Sequence, residues 1–456
     1  MIILGEEKII DPLLKKKILM QVQYLTSKNI YDTDEFATIL NPKNVYPTYD
    51  LYPLAQKLNN PLVNISAILT DMDGTTTTTE TLCLHSLEHM IQVVTKNKNN
   101  KSVRMLNKAE DYPHIIGNST TKHVEYLINK YGQYIDKDSF INNFLFAVLW
   151  TKLYGKDQSR SSEVTITFRL LGIEKEMIEV IEELKKHSEI SSKDLFMYVE
   201  DKLSSIKQMV SFDNFSMQVR MAIDIYYQRY HEILIQIEHG NSEKISKKLT
   251  HGKPLIEPMK GIAFFLSLIK GLLGKEAKAL SEETGISPKT LTEIGKFFQK
   301  NPVKIGLVTS SIAYEAYIVL NEVFKVISYE IKNWPISSQT KDNLLIQFSK
   351  FQNVYDAVVT ASDSHEIRLK PHRDLYSIAL LKLGIPANQF NSVIGFEDSE
   401  SGLIAIRAAG IGRAIGIPFE ATKGHDMKAA SLILKNGIYE FIGKNHCFLS
   451  FINDLL

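Results

Sequence analysis

Apolar residues recur along this chain with two different periods, and the changeover divides it. From about 84 to 253 they repeat every three to four residues, with charged residues between them, which is the pattern of amphipathic helices. The stretches 173–186, 194–210 and 217–237 show it most clearly. From about 300 onward, short unbroken apolar runs alternate with helical stripes. This predicts strands at 303–309, 357–361, 393–396 and 413–417, and helices at 313–324, 374–383 and 403–409. Buried strands alternating with helices mean a parallel α/β sheet. One more such run, 65–69, stands far upstream and joins that sheet across the long helical insertion. Before it, 13–25 has helical spacing with Lys15-Lys16-Lys17 on a solvated face, and Asp32-Thr33-Asp34 caps a second short helix through Leu40. Pro42, Pro47 and Pro53 then punctuate a looser stretch. The run 281–298 reads as a plain helix pair.

Composition narrows the class without naming a function. A length of 456 residues, 44% hydrophobic and 23% charged, is ordinary for a globular protein of two or three domains. A formal net charge of +1 gives no bulk electrostatic reason to expect nucleic acid as a partner. No run is apolar and long enough to span a membrane, and none at the start reads as a signal peptide. Two cysteines, Cys83 and Cys447, are too few for a disulfide framework, so a reducing, cytoplasmic setting is expected.

The chemistry lies where the predicted strands end. The first runs into Asp71-Met72-Asp73-Gly74-Thr75, two acids on one short loop with a glycine for the turn. The second ends in Thr309-Ser310-Ser311, hydroxyls and amides opening a helix, suited to phosphate oxygens. After the third comes Lys370-Pro371, a point charge able to neutralise a phosphoryl group. The fourth ends in Glu397-Asp398-Ser399, with Gly402 three residues on. In an open parallel sheet these tips form the ligand-binding edge. Asp71, Asp73, Glu397 and Asp398 make an oxygen-rich site for a hard cation that keeps several waters, hence Mg²⁺. A carboxylate there can take a phosphoryl group as an acyl phosphate. The second acid of the first loop is placed to protonate the leaving alkoxide and later to activate water.

These motifs resemble those of the haloacid dehalogenase superfamily, most of all the branch containing β-phosphoglucomutase and phosphoglycolate phosphatase. The resemblance covers about 66–92 and 254–420. It implies a Rossmann-like core, 66–83 with 254–456, carrying an all-helical cap, 84–253, after the first strand; residues 1–65, read from their pattern as a mostly helical N-terminal extension, and 275–300 are additions to the family's pattern. It further implies Asp71 as nucleophile and Asp73 as general acid and base. Asp71, the Asp73 carbonyl and Asp398 would bind Mg²⁺ with Glu397 assisting, and Thr309 and Lys370 would bind phosphate. The chain departs from the family at Thr76, usually apolar, and at Thr78, usually acidic.

The expected activity is a Mg²⁺-dependent phosphatase acting on a small phosphorylated metabolite, a sugar phosphate foremost. A sugar-phosphate mutase, or a regulatory binding protein that retains the site, are the alternatives. Within the insertion, Gly117 to His123 places Ser119 and Lys122 at a helix start, a plain capped helix or a substrate-binding turn. Neither partner proteins nor an oligomeric state follow from the sequence.

Overall fold

The computed structural model describes residues 12–41, 45–95, 106–107, 110–115, 120–186, 190–419, 422 and 426–443. The chain forms two compact units, Met1–Thr78 with Glu257–Leu456, and Thr79–Ile256.

The first unit is built on a six-stranded sheet. In chain order the strands of this unit are β1 (Phe36–Leu40), β2 (Tyr49–Pro53), β3 (Ala67–Asp71), β4 (Thr77–Thr78), β5 (Glu257–Pro258), β6 (Lys304–Val308), β7 (Ala357–Val359), β8 (Val393–Glu397), β9 (Arg413–Gly416) and β10 (Leu432–Ile433). The large sheet has the order β10-β9-β8-β3-β6-β7, and every pairing in it is parallel. All five residues of β3 are buried, as a central parallel strand covered on both faces requires. The chain builds outward from β3 through β6 and β7, then crosses to β8, β9 and β10 on the other side. The order therefore reverses between β3 and β8, and ligands bind at the carboxyl ends of strands flanking such a switch point. This is a Rossmann-like α/β sheet.

The stretch expected to be a second short helix, ending at Leu40, is a strand. Phe36 to Ile39 are buried and β1 pairs antiparallel with β2, from Phe36 opposite Pro53 to Leu40 opposite Tyr49. Aromatic and β-branched side chains suit a pleated strand, and burial against the core outweighs the upstream cap signal. Ala37, Ile39, Tyr52 and Leu54 join one hydrophobic cluster with Leu375, Tyr376, Leu403 and Ile406. The helix Pro12–Ser27 precedes this hairpin. Pro42 lies outside the described residues.

Among the described residues, every regular element of Thr79–Ile256 is helical. The helix expected over 194–210 divides at Leu203 into Ser192–Lys202 and Ser204–Met209. The chain leaves the first unit after β4 and returns at β5, and these strands pair, Thr77 opposite Pro258 and Thr78 opposite Glu257. No helix among the described residues is long and apolar enough to cross a membrane.

Candidate active site

The loop after β3 is held by its own backbone and its threonines. The Met72 carbonyl accepts from the Thr76 and Thr77 amides at 2.9 and 2.8 Å, and the Gly74 amide donates to the Thr77 carbonyl at 2.7 Å. Gly74 has φ +84°, and a Cβ there would strike the Asp398 carboxylate and the Phe419 ring. The Thr76 hydroxyl donates to the Asp71 carbonyl at 2.6 Å, so this departure from an apolar residue gives the acid loop an extra internal tie.

Lys370 reaches into the sheet edge and is almost wholly buried. Its ammonium donates to an Asp71 carboxylate oxygen and to the Val308 carbonyl at 3.1 Å, and it pairs with Glu397 Oε1 at 2.7 Å. Glu397 uses both oxygens. Oε1 also accepts from the Tyr376 hydroxyl at 2.7 Å, and Oε2 accepts from Ser399 Oγ at 3.1 Å. Gly402 is required beneath it, since any Cβ there would enter the Glu397 carboxylate. Ser399 caps the helix Glu400–Ala408 through the Gly402 amide and so fixes the turn that carries Asp398.

Asp71, Glu397 and Asp398 are buried, with one carboxylate oxygen from each lying within 4.8 Å of the others. Burial, followed by the charge of Glu397, holds the Asp71 carboxyl well above the ordinary range, while Lys370 pulls it down. Burial and the charges of Asp71 and Glu397 do the same to Asp398. Burial by itself would lower the Lys370 ammonium, but Asp71 and Glu397 outweigh it and hold it above the usual lysine value. Burial, then Glu397, raises the Tyr376 phenol. One lysine thus faces several carboxyl groups, and the surplus favours protons or a further cation. The donors are all carboxylate oxygens, a set that fits a hard cation such as Mg²⁺.

The second strand end brings its hydroxyls to the same edge. Thr309 is buried, with its amide on the Val359 carbonyl at 2.9 Å and its hydroxyl accepting from the Ser311 amide at 3.0 Å. Ser311, not the exposed Ser310, reaches the acid loop, donating to Asp73 Oδ2 at 3.2 Å. The structure therefore brings Asp71, Asp73, Lys370, Glu397 and Asp398 to one edge, with Thr309 at the next strand tip. Ser119 lies outside the described residues. Lys122 stands exposed on the helix Thr120–Tyr131 of the other unit. Ser311 and Tyr376 were not singled out from the sequence. Ser311 belonged to a legible hydroxyl cluster, whereas nothing local marks Tyr376, which reads as one more apolar position of a helix.

No family model and no curated protein matches the sequence. Among solved structures the chain is similar to CbbY from Rhodobacter sphaeroides in complex with phosphate, at 13% identity and a TM-score of 0.39, covering 83% of this chain and 97% of that one. It is similar to a putative β-phosphoglucomutase from Thermotoga maritima, at 15% identity and a TM-score of 0.35, covering 86% and 100%. It is also similar to a putative phosphoglycolate phosphatase from Lactobacillus delbrueckii, at 15% identity and a TM-score of 0.36, covering 85% and 99%. Likeness at this level bears on neither activity nor substrate.

Proposed function

We propose that this protein is a Mg²⁺-dependent phosphatase that hydrolyses a small phosphorylated metabolite through an aspartyl phosphate on Asp71. One observation carries the reading. At the switch point of a parallel sheet, a buried carboxylate is held against a buried lysine and ringed by further acids.

In this reading an Asp71 oxygen attacks phosphorus and the ester oxygen departs. Asp73, steadied by Ser311, gives that oxygen its proton, then takes one from the water that cleaves the acyl phosphate. Lys370 offsets charge on the transferring group from the position where Asp71 and Glu397 hold it. Glu397, with both oxygens engaged, serves as the holder of Lys370 more than as a ligand. Asp71, Asp398 and the Asp73 carbonyl would then hold Mg²⁺, with Glu397 at the margin of the set. When bound, the cation supplies further neutralisation of phosphoryl charge. Thr309 orders the turn that offers Ser310 and Ser311 to phosphate oxygens. On the sequence pattern the helical insertion 84–253 would serve as a cap, and its turn Gly117 to His123 would offer Ser119 and Lys122 to the substrate.

The test is a panel of phosphate esters assayed for inorganic phosphate with Mg²⁺ and with excess chelator. Metal-dependent phosphate release from small esters is expected. Transfer back to the bound sugar without release would make it a mutase. Tight phosphate binding with no turnover would leave a regulatory protein.

A further inference from the structure

Lys370 has no strand of its own to fix it. It sits between the short turn Glu366–Arg368 and the helix Asp374–Lys382. A lysine has a long, flexible stem, so its aim depends on how firmly its backbone is held. Within the loop, Arg368 Nε and Nη2 donate to both oxygens of Asp374 at 2.9 and 3.0 Å. The other ties come from the N-terminal hairpin. Arg368 Nη1 donates to Asp50 Oδ2 at 3.2 Å, and that oxygen also accepts from Asn41 Nδ2 at 3.0 Å. The Tyr52 hydroxyl and His372 Nδ1 are 3.0 Å apart, and the two rings meet edge to face. The Arg373 guanidinium lies 5.7 Å from the centre of the Tyr52 ring.

The open end of the hairpin is tied to the last turn of the helix Glu400–Ala408. Arg407, fully buried, donates from Nε and Nη2 to the Ala55 carbonyl at 2.9 and 2.8 Å and pairs with Glu35. The Ala55 amide returns a bond to the Arg407 carbonyl at 3.0 Å. Arg407 belongs to the helix that begins just after Asp398. The hairpin adds no strand to the six-stranded sheet. Its polar contacts to the lysine loop fall on Arg368, His372 and Arg373, all within three residues of Lys370, which is more than covering the core requires.

We propose that the hairpin β1–β2 is a positioning element for the phosphoryl site. Asp50 and Tyr52 hold the loop that aims Lys370, and the Arg407–Ala55 tie anchors the open end of the hairpin to the helix that follows the Glu397–Asp398 strand end. The role in turnover rests on the phosphoryl-transfer reading above. Asp50 and Tyr52 are positioning residues and touch no reacting atom.

The experiment uses the full chain with Tyr52→Phe, which keeps the packed ring and removes only the hydroxyl, and Asp50→Asn. Each is also made on a Lys370→Ala background. Melting near wild type is expected, with amide hydrogen exchange over 366–373 rising about tenfold. With a small aryl phosphate, kcat should fall about tenfold at little-changed KM. On the Lys370→Ala background neither change should lower kcat further, because the hairpin acts through that lysine. Unchanged exchange over 366–373 overturns the proposal whatever the activity. Equal kcat losses with and without Lys370 also overturn it, since they describe general loosening. If wild type turns over no phosphate ester, the phosphatase reading fails, and the exchange measurement alone decides whether the hairpin holds the loop.

Discussion

Replacing Lys370 with methionine tests the electrostatic core of the site. The ammonium is buried, and its partners are Asp71, Glu397 and the Val308 carbonyl. Methionine fills much of the same volume, so the loss is one of charge and hydrogen bonds more than of packing. Removing one member of a buried ion pair costs about 3–5 kcal/mol, because the remaining charges lie uncompensated. At about 2–4 °C per kcal/mol for a larger domain, the melting point should drop by roughly 6–20 °C. The drop should depend on pH. Asp71 and Asp398 already have raised pKa values, and Lys370 is the group that pulls both down. Without it they rise further. A carboxyl raised in the fold favours folding below its unfolded value, and that contribution is lost as pH climbs through the folded value. The penalty of Lys370→Met should therefore be smaller at pH 5 than at pH 8, and at pH 8 it should shrink when Mg²⁺ is added. Paired melting curves at the two pH values, with and without Mg²⁺, measure this. Equal penalties under all four conditions would refute the account of a lysine that compensates clustered carboxylates. Turnover by the variant should fall about 10²–10³-fold, as on removal of one charge-stabilising donor.

Asp71→Asn should abolish hydrolysis, and residual activity within about tenfold of wild type, some 1.4 kcal/mol of barrier, would show that Asp71 is not the nucleophile. Tyr376→Phe removes the 2.7 Å hydrogen bond to Glu397 and should cost about 1.5–3 kcal/mol in denaturant titrations, a charged acceptor being left short of a donor. Glu330, whose carboxyl is pushed up to about 7 by burial and by Glu283, favours the fold below its unfolded value of 4.5, and that contribution disappears as pH rises through 7. Glu330→Gln should therefore raise the melting point at pH 8 and leave it unchanged near pH 4.5, and the opposite ordering would be inconsistent with this assignment. Lys122→Ala should lower kcat/KM for a sugar phosphate more than for an aryl phosphate, and equal effects would remove the cap turn from substrate recognition.

The parts legible in the sequence were those governed by short-range pattern. The strand ends Asp71, Thr309 and Glu397 were placed by apolar runs that stop at polar residues, and a parallel sheet makes such runs nearly continuous. Lys370 was legible as chemistry but not as structure, since no strand or cap fixes where its loop goes. The hairpin at 36–53 is not legible in the sequence, because the two strands pair across a proline-bearing loop and the apolar side chains of the first also suit a helix. Tyr376, Ser311, Asp50 and Tyr52 acquire meaning only through partners that are distant in sequence, 318 residues apart for Asp50 and Arg368. No periodicity records contacts of that kind.

The short ladder between β4 and β5 has a polymer-physical consequence. It clips together the two chain ends between which Thr79–Ile256 is inserted. Bringing the ends of a flexible loop together costs about 0.6 kcal/mol more for each doubling of its length. Growing such a loop from about 10 residues to about 180 is roughly four doublings, so about 2.5 kcal/mol of closure entropy even if it were wholly unfolded. The inserted segment has its own buried residues, among them Phe140, Phe144, Leu195, Met221 and Leu234, which offset that cost locally. Its length is thus a weak lever on the closure entropy of the sheet. Doubling or halving the insertion changes that closure term by only about 0.6 kcal/mol, and the β4–β5 pairing holds its two chain ends side by side at any length.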